Sequence, residues 1–488
     1  MSEKKRVSRR KFLSNSAAGA AGLAVAGGVV AGGAKAMGKA PAILSNRSPN
    51  DAIGLGIIGS GGRGRSVMRS VGFRDPNYRS SARFRAAQRE RPEPPDLNLR
   101  FLGVCDIYEG NREKGLAAAG SEAKSYTHYE ELLANKEIDA VIIATPDHWH
   151  TPIALDALAA GKDIYLEKCM TRTIKEAQKV RAAVKANKRV FQLGHQGRQS
   201  EVNKKAREVI QQGTLGNITL IETFTNRNSP TGAWVYNIPE DAGPNNIDWK
   251  QWTGKGPKRA FSLERFFRWR CYWDYGTGLS GDLLTHELDA VNQIMDLGIP
   301  STAVASGGIY YFKDGREVPD VLQVVYEFPE KNFTVKYNAT QANSFSRNML
   351  FMGSDATMEL SQGLRVYADR GSERHREKIQ KGELPVVRQK IVNPDGSEEK
   401  EQAPAGPGAR RRGGKALLES FTPERGQGIN TTTLHVKEWT ECIRSRGRCA
   451  CNEDAGFEEA VTAHMATLSY RKGRKIRWDA RREKAVVA

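Results

Sequence analysis

An apolar run, Ile53–Ile58, opens directly into Gly59-Ser60-Gly61-Gly62-Arg63-Gly64 and then into a helical pattern. No other stretch constrains the fold as strongly. G-x-G-x-x-G by itself is a common turn. Between a strand and a helix it marks a phosphate-binding βα unit. The glycines let the backbone turn tightly and approach a pyrophosphate, and the N–H groups and dipole at the helix start favour its charge. Such a unit calls for an acid at the end of the second strand. Asp106 closes the apolar run Phe101–Cys105, 42 residues beyond Gly64. The usual spacing is about 20, and an Arg/Pro-rich insertion, Phe73–Asn98, accounts for the excess. A carboxylate there accepts ribose hydroxyls and repels a 2′-phosphate, so NAD is expected rather than NADP.

Strand and helix patterns alternate to about residue 195. Strands are expected at Ile53–Ile58, Arg100–Cys105, Ala140–Ala144, Asp163–Leu166 and Val190–Leu193, with helices such as Thr151–Ala160 and Ile174–Ala186 between them. Alternation of this kind predicts an α/β Rossmann domain over 51–195 with a doubly wound parallel sheet. Beyond residue 215 the strands follow one another: Ile218–Thr225, Ala303–Phe312, Val321–Phe328, Asn332–Asn338 and Asn348–Met352. Succession without helices predicts a largely antiparallel, open sheet in an α+β domain over 196–488. One helix, Ser280–Met295, precedes those strands, and two more, His435–Arg444 and Phe457–Tyr470, close the chain. The charged stretch Asp369–Gln427, with Arg410-Arg411-Arg412, reads as a surface insertion.

The first 36 residues read as an address. Ser8-Arg9-Arg10-Lys11-Phe12-Leu13 is a twin-arginine pattern, a weakly apolar Ala/Gly/Val stretch follows from Ala17 to Ala34, and Ala34-Lys35-Ala36 is a small-x-small cleavage site. Residues 37–50 form a linker. The expectation is a protein exported to the periplasm, folded and cofactor-loaded, by the twin-arginine translocation machinery, or tethered to the membrane if the signal stays uncleaved. Seven basic residues against Glu3 in this segment leave +13 of the chain's +19 on the remainder. That excess raises nucleic acid as a partner, but its share in Arg-rich insertions, the lack of zinc-finger spacing or an aromatic-interleaved RNA motif, and export argue against it. Six cysteines in 488 residues exclude a disulfide scaffold, and Cys449-Ala450-Cys451 has neither redox nor zinc-knuckle spacing.

Ala144-Thr145-Pro146 follows a buried strand, at the sheet end where open α/β folds bind ligands, and is placed to line the cofactor's nicotinamide. His148 and His150 either touch ligand there or cap the next helix. Glu167-Lys168 ends a further strand, where the Lys168 cation can polarise a substrate oxygen or sit in a surface ion pair. Asp282, His286 and Asp289 fall at i, i+4 and i+7, on one face of the expected helix. A carboxylate beside an imidazole suits proton removal from an alcohol. A structural polar seam or a divalent metal site are the alternatives, and no metal is expected. The aromatic segment Phe266–Tyr275 offers stacking faces for a sugar or packs the domain junction; Arg270, Tyr272 and Asp274 are its preferred ligands.

Together, Gly59–Gly64, Ala144-Thr145-Pro146, Glu167-Lys168, Gly194-His195-Gln196 and Gly281-Asp282-Leu283-Leu284-Thr285-His286 make the chain resemble the Gfo/Idh/MocA family, the glucose–fructose oxidoreductase and inositol dehydrogenase group. The resemblance runs from Ile53 to Asp479, outside the two insertions. It implies a Rossmann domain followed by an α/β domain whose exposed sheet face makes homo-oligomers. It implies that Lys168 orients substrate and cofactor, that His286 is the general acid/base, and that Asp282 binds a substrate hydroxyl and tunes the histidine. It also places His150 and Glu167 at the cofactor and His195 at the substrate. Where the family reads Glu-Lys-Pro, this chain has Cys169, which leaves the backbone after Lys168 open. The activity expected is NAD-dependent oxidation of a sugar or polyol with a retained cofactor. NAD-dependent glycoside hydrolysis by transient oxidation and elimination is the alternative, with a non-catalytic sugar-binding protein behind both.

Overall fold

The computed structural model describes residues 51–76, 93–388, 414–423 and 430–488. The expected export signal over 1–36, the expected linker 37–50 and Arg410–Arg412 lie outside the described residues. The first sheet has six parallel strands in the order β3-β2-β1-β4-β5-β6. They are β1 (Ile53–Ile58), β2 (Leu99–Cys105), β3 (Lys124–Tyr126), β4 (Ala140–Ile143), β5 (Asp163–Leu166) and β6 (Phe191–Leu193). All of β1, β4, β5 and β6 is buried, as expected when helices cover both faces. The chain reverses its order of addition between β1 and β4, and ligands of such sheets bind outside the strand ends at that point.

The second sheet has eleven strands. Its centre is β7 (Ile218–Asn226), β10 (Phe333–Thr340), β9 (Val321–Phe328) and β8 (Thr302–Gly308), flanked by β11 (Met349–Gly353), β12 (Ala356–Leu360) and β13 (Leu364–Ala368). Every pairing is antiparallel except β10 with β7. Alternate residues of β10 are buried, and Phe333, Val335, Tyr337 and Ala339 pack inward. On β9 the outward Val325 is 39% exposed, so one face of this sheet is open.

Three expectations need correction. β8 stops at Gly308, because the Asp320 carboxylate accepts the backbone N–H groups of Tyr310, Tyr311 and Phe312 and turns the chain out of the sheet. Part of the charged stretch 369–427 is not an insertion: β15 (Gly414–Phe421) pairs with β13. The domain division at 195/196 also misses a return. The helix Thr431–Ser445 buries Val436, Trp439 and Ile443 in the same core as Ile53, Leu55 and Phe101 of the parallel sheet.

Candidate active site

The glycine turn needs its glycines for space. Gly59 has φ +90, and a Cβ there would lie 2.7 Å from the Ala144 carbonyl. A Cβ on Gly64 would lie 2.2 Å from the Gly59 oxygen, so this glycine lets helix Gly62–Ser70 pack against β1. At Gly62 a Cβ would meet nothing within 4 Å. That open space belongs to a cavity of about 620 Å³ between the two domains. Gly59, Gly61, Gly62, Arg63, Asp106, Ala144, Thr145, Pro146, Glu167, Lys168, Arg270 and His286 all line it. Residues more than 200 positions apart in sequence are thereby brought to one chamber.

Asp106 is 9% exposed and accepts the Tyr108 N–H at 3.0 Å and the Ser60 hydroxyl at 3.4 Å. Burial pushes its pKa up to about 6, against these donors and the Arg65 and Arg112 cations. Ser60 supports this acid from behind the lining and does not itself face the cavity. Arg63 turns toward the end of β5, where its Nε donates to Glu167 Oε1 at 2.7 Å. An open glycine turn, a helix start and a terminal β2 carboxylate in one cavity fit a dinucleotide. The segment 240–276 crosses the rim of this groove. Tyr108 donates to Asp241 at 3.0 Å, Gln251 to the Thr127 carbonyl at 2.9 Å and Trp149 to the Trp252 carbonyl at 2.8 Å.

At the other end stands the polar centre. Lys168 Nζ donates to Asp282 Oδ1 at 2.6 Å and to the Asp282 carbonyl at 2.7 Å. Arg270 Nε donates to the same Oδ1 at 2.9 Å, and Trp234 Nε1 to Oδ2 at 3.0 Å. Burial opposes ionisation of Asp282, yet Arg270 and Lys168 hold its carboxyl well below the usual range. Asp282 in turn keeps the Arg270 guanidinium charged against its own desolvation. His286 is exposed to the cavity and surrounded by protein. That enclosure, then Lys168 and His195, push its pKa well below the imidazole value, against the pull of Asp282. A lowered pKa favours the neutral ring, the form that accepts a proton.

The expected single face of Asp282, His286 and Asp289 does not form. Ser280–Leu284 is a π-helical turn that leads into the α-helix Thr285–Met295. Its wider winding breaks the 3.6-residue register between Asp282 and His286. Asp282 faces Lys168 and Arg270, whereas Asp289 is buried against Arg198, with Nε donating to Oδ1 at 2.5 Å. Among the described residues no direct hydrogen bond joins Asp282 to His286; their coupling is through charge.

Four proposed contacts are relocated. His195 is 1% exposed and sits behind His286, with ring centroids 5.4 Å apart. His150 does not line the cavity; its nitrogens lie 2.8 Å from the Thr145 carbonyl and 2.6 Å from that of Cys169, tying together the loops that do. Tyr272 is buried under Arg265, which stacks 4.2 Å over its ring. Asp274 pairs with Arg259 at 2.9 Å, away from the cavity. His148 is a structural anchor: its Nε2 lies 2.9 Å from the Trp252 carbonyl, and burial lowers its pKa to about 3. The Lys168–Cys169 peptide is cis, the thiol is buried, and burial raises its pKa. Sequence reasoning missed Trp234, Tyr236 and Trp252, since their segments carry no motif and only the density of aromatics from 234 to 275 hinted at them; Gln196 was quoted within a motif but given no role.

Two family models cover this architecture: the oxidoreductase family's NAD-binding Rossmann fold over residues 53–195, and its C-terminal alpha/beta domain over 207–477. The chain belongs to the Gfo/Idh/MocA oxidoreductase family. Its N-terminal domain is the family's NAD-binding domain. The inositol 2-dehydrogenase of Salmonella typhimurium is 31% identical over 119 residues, 24% of this chain and 35% of that protein. The levoglucosan dehydrogenase of Pseudarthrobacter phenanthrenivorans is 29% identical over 216 residues, 41% of this chain and 47% of that protein. The match thus spans less than half the length of these curated relatives. A solved levoglucosan dehydrogenase in complex with NADH aligns with a TM-score of 0.58 at 17% identity, over 88% of this chain and 99% of that one. At that identity the likeness establishes the shared fold.

Proposed function

We propose that this chain is an exported NAD-dependent oxidoreductase that oxidises a sugar or polyol and retains its cofactor between half-reactions. The observation that carries the reading is His286: an imidazole open to the same cavity as the glycine turn and Lys168. NAD, when bound, supplies the hydride acceptor. His286 takes the hydroxyl proton at a ring nitrogen. The Lys168 ammonium, positioned by Asp282, stabilises negative charge on the substrate oxygen. Asp282 is already saturated by Lys168, Arg270 and Trp234, so its part is to hold those donors. Tyr236, Trp269 and Phe267 line the remaining wall and suit the faces of a ring carbon skeleton.

Export rests on residues 1–36, whose pattern suits translocation of a folded, loaded protein. The segment 240–276, tied across the cofactor groove, favours retention. Assembly of copies through the open sheet face, where Val304 and Val325 are 42% and 39% exposed, completes the proposal; the mass in solution tests it. The decisive test is nucleotide analysis of mature protein from the periplasm, followed by a panel of sugars, polyols and glycosides. Near-stoichiometric NAD, reduced by a sugar or polyol and reoxidised by a second carbonyl compound, supports the reading. Hydrolysis of a glycoside with no second substrate replaces it with transient oxidation and elimination. Absence of nucleotide, with no binding of added NAD, overturns it.

A further inference from the structure

Behind the cavity wall lies a polar cluster that this scheme leaves unused. His195 follows β6, Arg198 sits in the turn Gln196–Gln199, Asp289 lies on the helix Thr285–Met295 and Glu459 on the helix Glu453–Lys472. His195, Asp289 and Glu459 are 1%, 1% and 3% exposed. Arg198 donates to Asp289 Oδ1 at 2.5 Å and to Glu459 Oε1 at 3.1 Å. Two carboxylates thus share one guanidinium, and the cluster carries a surplus negative charge unless it binds a proton. His195 Nε2 lies 2.5 Å from Glu459 Oε2. Two lone pairs at that distance repel, so a proton belongs in the contact. A divalent ion, with ligand bonds of about 2 Å, spreads its donors further apart. On its other side the His195 ring stands at 79° to that of His286, at a spacing that one water or one ring turn bridges. Neither His195 nitrogen has a well-aligned hydrogen bond among the described residues.

We propose that His195 and the Asp289–Glu459 pair form a buried proton reservoir for His286, filled as the cofactor is reduced and emptied as it is reoxidised. The inference rests on the reading of His286 as the base. On oxidation, the substrate C–H electrons leave as hydride to the cofactor and the C–O bond becomes double. The O–H proton passes to His286, then through His195 to the carboxylate pair. The return half-reaction runs these transfers backwards, so no proton need cross to solvent. The oxidised nicotinamide is a cation and the reduced one is neutral, so reduction raises the cluster's affinity for a proton.

The surroundings agree. Burial, then Glu459, push Asp289 up to about 8, against Arg198 and His195. Burial also raises Glu459, with Glu458 adding to it, and lowers His195 to about 4. With the cofactor reduced the proton therefore rests on the carboxyl pair; the positive charge of the oxidised nicotinamide drives it off, and His195 transmits it. Lys168 and Glu167 face His195 from the end of β5, and His435 faces it from the helix Thr431–Ser445. Cys451 Sγ lies 3.9 Å from Glu459 Oε1.

The test counts protons without requiring a substrate. NAD and NADH are titrated calorimetrically into the full chain near pH 8, in buffers of different ionisation enthalpy. NADH binding is expected to take up a substantial fraction of a proton more than NAD binding. Glu459→Gln and Asp289→Asn, each checked for folding by circular dichroism, are expected to abolish the difference, and His286→Gln to keep it. Equal proton counts in the unmodified protein overturn the proposal, as does a stoichiometric divalent ion found by elemental analysis. If neither nucleotide binds, the functional reading itself falls and the reservoir falls with it.

Discussion

Asp282 and Asp289 stand seven residues apart on either side of His286, and their environments drive them in opposite directions. Asp282 meets two cations and an indole N–H, and its carboxyl is held well below the ordinary range. Asp289 shares one guanidinium with a second carboxylate in a drier place and is pushed up to about 8. Both are buried, so burial alone does not decide the charge state. What decides it is the ratio of cations to carboxylates: two to one around Asp282, one to two around Asp289. One stretch of helix thus carries a permanent anion on one side of His286 and, behind His195, a carboxyl that holds its proton on the other.

The largest way to break this contrast is Asp282→Asn. It leaves Lys168 and Arg270 without their counterion, and breaking such a pair costs about 3–5 kcal/mol. Turnover is expected to fall by about 10²–10⁴ as Lys168 loses its position; thermal unfolding and steady-state kinetics measure the two effects. The pH dependence sharpens the contrast further. Asp282 has a depressed pKa, so its contribution to stability is present above the ordinary 3.8 and is lost as pH falls below it. Asp289 has a raised pKa, so its contribution is full below 3.8 and drains away as pH rises through about 8. Melting curves from pH 5 to 9 should show a decline in the wild type that Asp289→Asn flattens, with a cost of only about 1 kcal/mol at pH 6. A third change concerns the other buried carboxylate of the site. Asp106→Ser removes the acid proposed to receive the ribose, and the ratio of NAD to NADP affinity should fall by at least about tenfold in binding titrations, the worth of one or two hydrogen bonds. The smallest effect is Asp274→Asn, the carboxylate whose ion pairs face solvent. It should change stability by less than about 1 kcal/mol and leave kcat unchanged.

The parallel sheet was legible because its strands are continuous apolar runs that end in chemistry: Gly59, Asp106, Ala144-Thr145 and Glu167-Lys168 each follow one directly. The second sheet was half legible. Its central strands alternate, but β15 lies in a charged stretch and its partner β13 is distant in sequence. The site was legible as a set of residues and not as a geometry. Asp282, Lys168 and His286 were picked by motif, yet the π-helical turn that separates Asp282 from Asp289 leaves no mark in the hydrophobic pattern. Glu459, 170 residues beyond Asp289, could not be joined to it by spacing alone. Tyr272 and Asp274 misled because an aromatic, charged segment reads alike whether it lines a cavity or packs a junction.

The central claim is that His286 works as a neutral base held ready by its surroundings. The most direct measurement is single-turnover reduction of bound NAD by a reactive sugar or polyol, followed by nicotinamide absorbance against pH, in wild type and His286→Asn. The account predicts that wild-type hydride transfer persists well below the ordinary imidazole value of 6.5, because the protein around the cavity and Lys168 disfavour the charged ring. It predicts that His286→Asn binds NAD as before and transfers hydride about 10²–10⁴ times more slowly. Equal rates in the two proteins, or a wild-type rate that collapses at the ordinary imidazole value, would contradict it.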